Sequence, residues 1–154
     1  FYGAPNDPEY YHNCKRSVAE MQLENNVTFA GSTKEPWKAY SNADIVAIPS
    51  ISEGFPFAAL EAMLCGAAIV ATDVGGVAEA IGECGLLVPA KTPQAMAEAL
   101  SFLLNDTAAR ERLGRNARAR ALEYFTEEQF LNGYKNTYRE LLSYRPQRQR
   151  LLSA

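Results

Sequence analysis

Apolar positions along this chain change period several times, and each change marks an element. Asp7 is a suitable N-cap with Pro8 at the first helical position, and Tyr11, Cys14, Val18 and Met21 then recur at helical spacing. The pattern predicts a helix from there to about Glu24. A short strand is expected at 27–31, and a short helix carrying Trp37 and Tyr40 at 36–42. The apolar run 43–49 reads as a buried strand centred on Ile45–Ile48, with further strands at Ala68–Thr72 and 85–88. Between the last two lie a Gly75-Gly76 turn and a short helix through Ile81.

The last third is helical in pattern. Thr92 and Pro93 open one helix with Met96, Leu100 and Leu103 on its apolar face. Asp106 or Thr107 caps a second, where Arg110, Glu111, Arg112, Arg115 and Arg118 are expected to form a solvated face around Leu113 and Ala117. A final helix from about Glu127 to Ser143 is expected to bury Phe130, Tyr134, Tyr138 and Leu141. Short apolar strands alternating with helices predict an α/β fold: a parallel sheet covered by helices on both faces, followed by a helical C-terminal third. One domain is expected over 1–144, then a basic tail at 145–154 holding Arg145, Arg148 and Arg150.

Composition narrows the function classes. The chain has 154 residues, 47% of them hydrophobic and 21% charged, which suits a globular domain with one sizeable core. A net charge of −3 argues against a general nucleic-acid surface. No apolar stretch approaches the ~20 residues of a membrane span, and no signal peptide is visible. A cytoplasmic location, or a peripheral one at the inner membrane face, is therefore expected. Cys14, Cys65 and Cys84 lie far apart without metal-ligand spacing, and are expected to be small buried residues of a reducing compartment. The chain opens on Phe1-Tyr2-Gly3, without a Met and like the tail of a strand, so a fragment of a larger protein is expected.

Candidate chemistry centres on residues 52–66. Gly54 and Pro56 keep Glu53 on a loop, because both resist helix-interior geometry. Good helix formers begin near Phe57, so Glu61 falls on the first turns of a helix whose free N–H groups face that loop. A helix N-terminus attracts phosphate, and carboxylates on either flank can accept hydrogen bonds from sugar hydroxyls. The loop also follows a strand's carboxyl end, where open α/β sheets bind ligands. Glu61 sits among Ala58, Ala59, Leu60, Ala62, Met63 and Leu64, an apolar setting in which an ionised side chain needs a partner. Gly75-Gly76 lacks the G-x-G-x-x-G order of a dinucleotide site and reads as a tight turn. His12, the single histidine, reads as a surface residue, which leaves no Ser-His-Asp or Cys-His arrangement.

Glu53 and Glu61, separated by seven residues, with Gly54-Phe55-Pro56 after the first and Ala62-Met63 after the second, resemble the donor-site signature of family 4-type retaining glycosyltransferases. The resemblance extends over roughly 1–130, through Val-Thr-Phe-Ala-Gly at 27–31, Ala43-Asp44, Ala-Thr-Asp-Val-Gly-Gly at 71–76 and Gly-Leu-Leu-Val-Pro at 85–89. It implies the Rossmann-like, donor-binding C-terminal half of a two-domain GT-B enzyme. The implied partners are a missing N-terminal Rossmann domain, a nucleotide-sugar donor and a glycan or lipid-linked acceptor. By the same resemblance Glu53 reads the donor sugar and stabilises its oxocarbenium-like ring. Gly54 and the backbone N–H groups of Phe55 and Phe57 hold the diphosphate or sugar hydroxyls, Glu61 accepts from the ribose, and Thr33 borders the base. Pro56 stands where some members have Gly and has no N–H to give. Tyr-Gly-Ala-Pro at 2–5 and Asp-Pro-Glu-Tyr-Tyr at 7–11 also resemble the Pel exopolysaccharide branch, whose donor is UDP-glucose, which would place the chain in polysaccharide biosynthesis.

No Lys or Arg occurs from Ala39 to Ala90. A departing nucleoside diphosphate gathers negative charge, and the helix near Phe57 offsets only about half a unit. The family meets this with an Arg and a Lys upstream, and with no metal or other cofactor. Two other readings stay open: a non-catalytic α/β interaction or ligand-sensing module in which both glutamates are structural, and a UDP-sugar epimerase of the same fold. The epimerase needs acid/base carboxylates or histidines at its cleft.

Overall fold

The three apolar runs in the middle of the chain become three parallel strands. In the computed structural model, residues 1–144 are described; Arg145, Arg148 and Arg150 of the basic tail lie outside the described residues. The elements are α1 (Pro8–Glu20), α2 (Pro36–Ser41), β1 (Ile45–Ile48), α3 (Phe57–Leu64), β2 (Ala68–Thr72), α4 (Val77–Ile81), β3 (Leu86–Val88), α5 (Pro93–Asn105), α6 (Thr107–Tyr124) and α7 (Glu127–Ser143). The chain separates into two compact units, Phe1–Pro36 and a second beginning at Trp37.

In the second unit the sheet order is β1-β2-β3, all parallel, with Ile48 opposite Ala71 and Thr72 opposite Val88. All five β2 residues are buried, as expected of a central strand covered on both sides. Period-2 alternation sends Ile69 and Ala71 to one face, where Ala59, Leu60, Ala62 and Met63 of α3 and Val77, Ala80 and Ile81 of α4 cover them. Ala68 and Val70 point to the other face, beneath Leu103 of α5. The α6 helix serves both layers: Ala109 and Leu113 pack with the α5 side, Ala117 and Ala121 with the α3 side. Its closest approach is at Gly114, where a Cβ would lie 2.2 Å from the Gly66 carbonyl oxygen, so only glycine fits.

Several expectations are corrected. The α1 helix stops at Glu20 rather than near Glu24, because Gln22 adopts a left-handed φ of 57°. Its N–H donates to Ala19 O and that of Leu23 to Val18 O, the paired bonds of a Schellman termination. The expected strand at 27–31 is a single parallel bridge, Tyr2 to Gly31. Gly3 N–H donates to Gly31 O and Ala30 N–H to Phe1 O, and Gly3 and Gly31 both have positive φ. A small aromatic cluster holds this first unit instead, with the Phe29 ring 5.6 Å from Phe1 and 5.5 Å from Tyr11. The cysteines are free and half-buried rather than buried.

The arginines of α6 are not merely a solvated face. Arg110 donates to Leu103 O at the end of α5, Arg118 to Leu64 O at the end of α3, and Arg120 to Glu79 O and Ala80 O of α4. Each guanidinium thus satisfies carbonyls that a helix C-terminus leaves without partners, and meets the negative end of a helix dipole. Arg110 is also 3.8 Å from the Asp44 carboxylate. The α7 helix has the expected bounds but buries none of its residues: Phe130, Tyr134, Tyr138 and Leu141 are exposed. Periodicity set an apolar stripe on this helix, yet no described element covers it.

Candidate functional site

The β1 strand ends at Ile48, and its loop carries Ser50 and Glu53 before α3 begins. The Ser50 hydroxyl donates to Glu53 Oε1 at 2.7 Å. Ser50 is held in turn by Thr72, the buried last residue of β2, whose hydroxyl donates to Ser50 O at 2.6 Å and reaches Ile48 O at 3.3 Å. The Gly75-Gly76 turn lies against the same loop. Gly76 N–H donates to Gly54 O at 3.0 Å, and a Cβ on Gly75 would lie 1.8 Å from Glu53 O. The turn therefore does more than reverse the chain: it sets the height of the Glu53 backbone.

Pro56 is the N-cap of α3, with φ −83° and ψ 87°, and Phe57 N–H donates across it to Phe55 O at 3.1 Å. This is an inverse γ-turn. It engages the Phe57 N–H that the sequence reading assigned to the ligand. The Phe55 ring packs edge-on against Phe57 and against Phe125, at 6.4 and 5.7 Å between centroids. Phe55, Phe57 and Leu60 form one wall of an apolar groove of about 880 Å³ whose other wall includes Phe130, Tyr134 and Tyr138 of α7.

Glu61 lies on the exposed side of α3, while Ala59, Leu60, Ala62 and Met63 are buried. The apolar surroundings inferred from its sequence neighbours are thus the opposite face of its own helix, and burial does not force a partner upon it. A partner is nevertheless present. The Tyr40 hydroxyl of α2 is raised above the usual tyrosine value, first by burial, then by the Glu61 charge and its hydrogen bond, and least by Cys65. The Cys65 thiol, at the end of α3, points at Trp37 O, 3.8 Å away.

Thr33 belongs to the first unit, where it is exposed and its hydroxyl accepts from Glu35 N–H at 3.0 Å, a local turn ahead of α2. His12 is exposed, as expected. Residues 39–90 hold Asp44, Glu53, Glu61, Asp73, Glu79 and Glu83 without a basic side chain. The nearby Arg120 is committed to α4 carbonyls and lies over the Tyr124 and Phe125 rings. Sequence reasoning missed Ser50, Thr72, Gly75 and Tyr40. The available signal was weak: hydroxyl residues at the ends of two strands, and a glycine pair just after the second of them.

What the arrangement offers is one oriented carboxylate, one exposed carboxylate with a tyrosine beside it, and a helix start between them, all at the carboxyl ends of parallel strands. No helix among the described residues is long and apolar enough to cross a membrane.

Residues 1–120 match the profile of the family described as glycosyl transferases group 1. The chain is 39% identical over 120 residues to a D-inositol 3-phosphate glycosyltransferase of Corynebacterium glutamicum, covering 75% of this chain and 29% of that protein. Its fold is similar to the sucrose-phosphate synthase of Thermosynechococcus elongatus, with TM-score 0.79 and 33% identity over 92% of this chain and 37% of that one. It is also similar to Anabaena HepE solved in complex with UDP-glucose, with TM-score 0.84 and 26% identity over 90% of this chain and 40% of that one. The structural neighbours are GT-B glycosyltransferases, and the α/β fold with its helical C-terminal region is theirs. The chain spans less than a third of the curated relative, at 29% of its length. With the profile covering residues 1–120 of 154, the chain belongs to the glycosyl transferases group 1 family.

Proposed function

We propose that the 53–61 segment binds a nucleotide-diphosphate sugar, a UDP-sugar and foremost UDP-glucose, and that the full-length protein transfers the hexose with retention to a glycan or lipid-linked acceptor, as in the family 4 type. The carrying observation is the placement of Glu53 and Glu61 on either side of the α3 start. The UDP-glucose complex of Anabaena HepE, a protein of the same fold, supports the choice of donor. The Pel-like opening supports a place in exopolysaccharide synthesis.

In this reading Glu53 accepts from hydroxyls of the donor sugar and offsets charge on the ring as it becomes oxocarbenium-like. Glu61 accepts from the ribose hydroxyls, for which an exposed carboxylate on the first turns of α3 is well placed. Gly54 lets the chain pass close to the ligand. The Phe55 N–H, and the Phe57 N–H once its γ-turn bond to Phe55 O is exchanged, donate to the diphosphate or sugar hydroxyls. Thr33 borders the base. The remaining positive charge on the diphosphate comes from basic residues outside 39–90, with no metal or cofactor, and an N-terminal Rossmann domain supplies the acceptor side.

Turnover of UDP-glucose by the full-length protein, wild type against Glu53→Ala, tests this reading. The expected result is a fall of at least roughly a hundredfold in kcat, the order of magnitude of one lost electrostatic contact in a transition state. Equal turnover by the two proteins would refute the role of Glu53.

A further inference from the structure

The hydroxyl of Ser50 lies outside every residue that the donor reading uses, yet it makes the shortest described contact to the Glu53 carboxylate. Its Oγ is 2.7 Å from Oε1, within the range of a hydroxyl donating to a charged oxygen. A loop serine that merely stabilised its own turn would bond backbone groups nearby. This one spends its proton on a side chain three residues away instead.

Its own position is not free. The Ser50 carbonyl accepts from Thr72 Oγ1 at 2.6 Å, and Thr72 is buried at the end of the central strand. The register of β1 against β2, with Ile48 opposite Ala71, is what brings the exits of the two strands together. Glu53 is thus held twice: its carbonyl lies against Gly75, and one carboxylate oxygen is fixed by Ser50.

We propose that Ser50 is a positioning residue for Glu53, fixing the carboxylate in the rotamer that meets the donor sugar. This rests on the donor-binding reading of Glu53. A carboxylate on a Gly/Pro loop otherwise samples several rotamers and pays their entropy on binding. Fixing one oxygen beforehand removes that cost and leaves the other oxygen for the sugar hydroxyls. Thr72 acts one step further back, by holding the Ser50 backbone.

The test is calorimetry on the full-length protein with two probes, UDP-glucose and UDP. Ser50→Ala is expected to weaken UDP-glucose about tenfold, as for one hydrogen bond to a charged group, and to leave UDP unchanged, since UDP has no hexose. Ser50→Thr, which keeps the hydroxyl, is expected to restore most of the loss. Adding Ser50→Ala to Glu53→Ala is expected to cost nothing further, because the group it orients is gone.

Equal weakening of UDP and UDP-glucose would overturn the proposal, for it would mean a general loss of structure. If Glu53→Ala weakened UDP-glucose and Ser50→Ala did not, Ser50 alone would lose its role. If Glu53→Ala left UDP-glucose binding intact, or the wild type bound no UDP-glucose, the donor reading itself would fall. Ser50→Cys, close in volume with a much weaker donor, carries the same expectation should the alanine variant not fold.

Discussion

Gly75 and Glu53 are in direct backbone contact: a Cβ placed on Gly75 would lie 1.8 Å from the Glu53 carbonyl oxygen and 2.8 Å from its carbonyl carbon. Gly75 also has a left-handed φ of 53°. Both the space and the backbone conformation therefore exclude a side chain here. Gly75→Ala must push the Glu53 loop away from β2. The expected outcome is a loss of ~1–3 kcal/mol in stability by urea unfolding, the usual range for overpacking, accompanied by weaker donor binding. A variant as stable as the wild type with unaltered affinity would show that the turn does not position the loop.

Gly114 offers a test in which the sign decides. On an exposed helix, glycine to alanine stabilises by ~1 kcal/mol. On α6 the new methyl would meet the Gly66 carbonyl oxygen at 2.2 Å and force α6 off the end of α3. Gly114→Ala is thus expected to destabilise, by ~1–3 kcal/mol in denaturant. Stabilisation would mean that the α3–α6 packing is looser than described.

Much of this architecture was legible in the residues, for reasons that also explain the failures. Ala68–Thr72 fell where its apolar run ended, because a strand buried on both faces has almost no polar position to blur its limits. Ile45–Ile48 has the expected bounds but, at the edge of the sheet, is only partly buried, with Ala47 exposed. Glu127–Ser143 was bounded by its period. That period named the apolar face of α7 but could not say what covers it. The end of α1 was missed because Gln22 is a good helix former whose left-handed backbone leaves no mark in the sequence. Arg110 and Arg118 of α6 were misread because their acceptors are backbone carbonyls, which every residue carries. Glu53 and Glu61 stood out as charges in an apolar stretch. Their supports did not, since Ser50–Thr72 and Glu53–Gly75 join positions about twenty residues apart through backbone atoms.

Tyr40 gives the account a pH signature. Burial, and then the charge and hydrogen bond of Glu61, raise its folded value above the ordinary 10.0. A tyrosine whose folded value is raised holds its proton more tightly in the native state. Its contribution to stability is therefore complete below the unfolded value near 10.0 and is lost as pH rises through the higher, folded one. Phenolate absorbance of the wild type minus Tyr40→Phe should show one group titrating above the ordinary tyrosine range. A difference curve centred on the ordinary value would remove the Tyr40–Glu61 interaction from the account.

The proposed absence of a metal is checked directly. This sequence has one histidine and no Asp-x-Asp pair to hold a divalent ion through a diphosphate. The full-length protein should keep its transfer activity in excess EDTA. Loss of activity that Mg²⁺ or Mn²⁺ restored would assign the positive charge to a metal.

The central claim is that the 53–61 segment holds a nucleotide-diphosphate sugar, with the ribose on Glu61 and the hexose on Glu53. The most direct measurement is calorimetric titration of the full-length protein with UDP, wild type against Glu61→Ala and Glu53→Ala. UDP carries the ribose but not the hexose. The account predicts that Glu61→Ala weakens UDP by roughly tenfold to a hundredfold, equivalent to ~1.5–3 kcal/mol for one charged hydrogen-bonding partner, while Glu53→Ala leaves it nearly intact. The reverse pattern, or UDP binding indifferent to both substitutions, would contradict it.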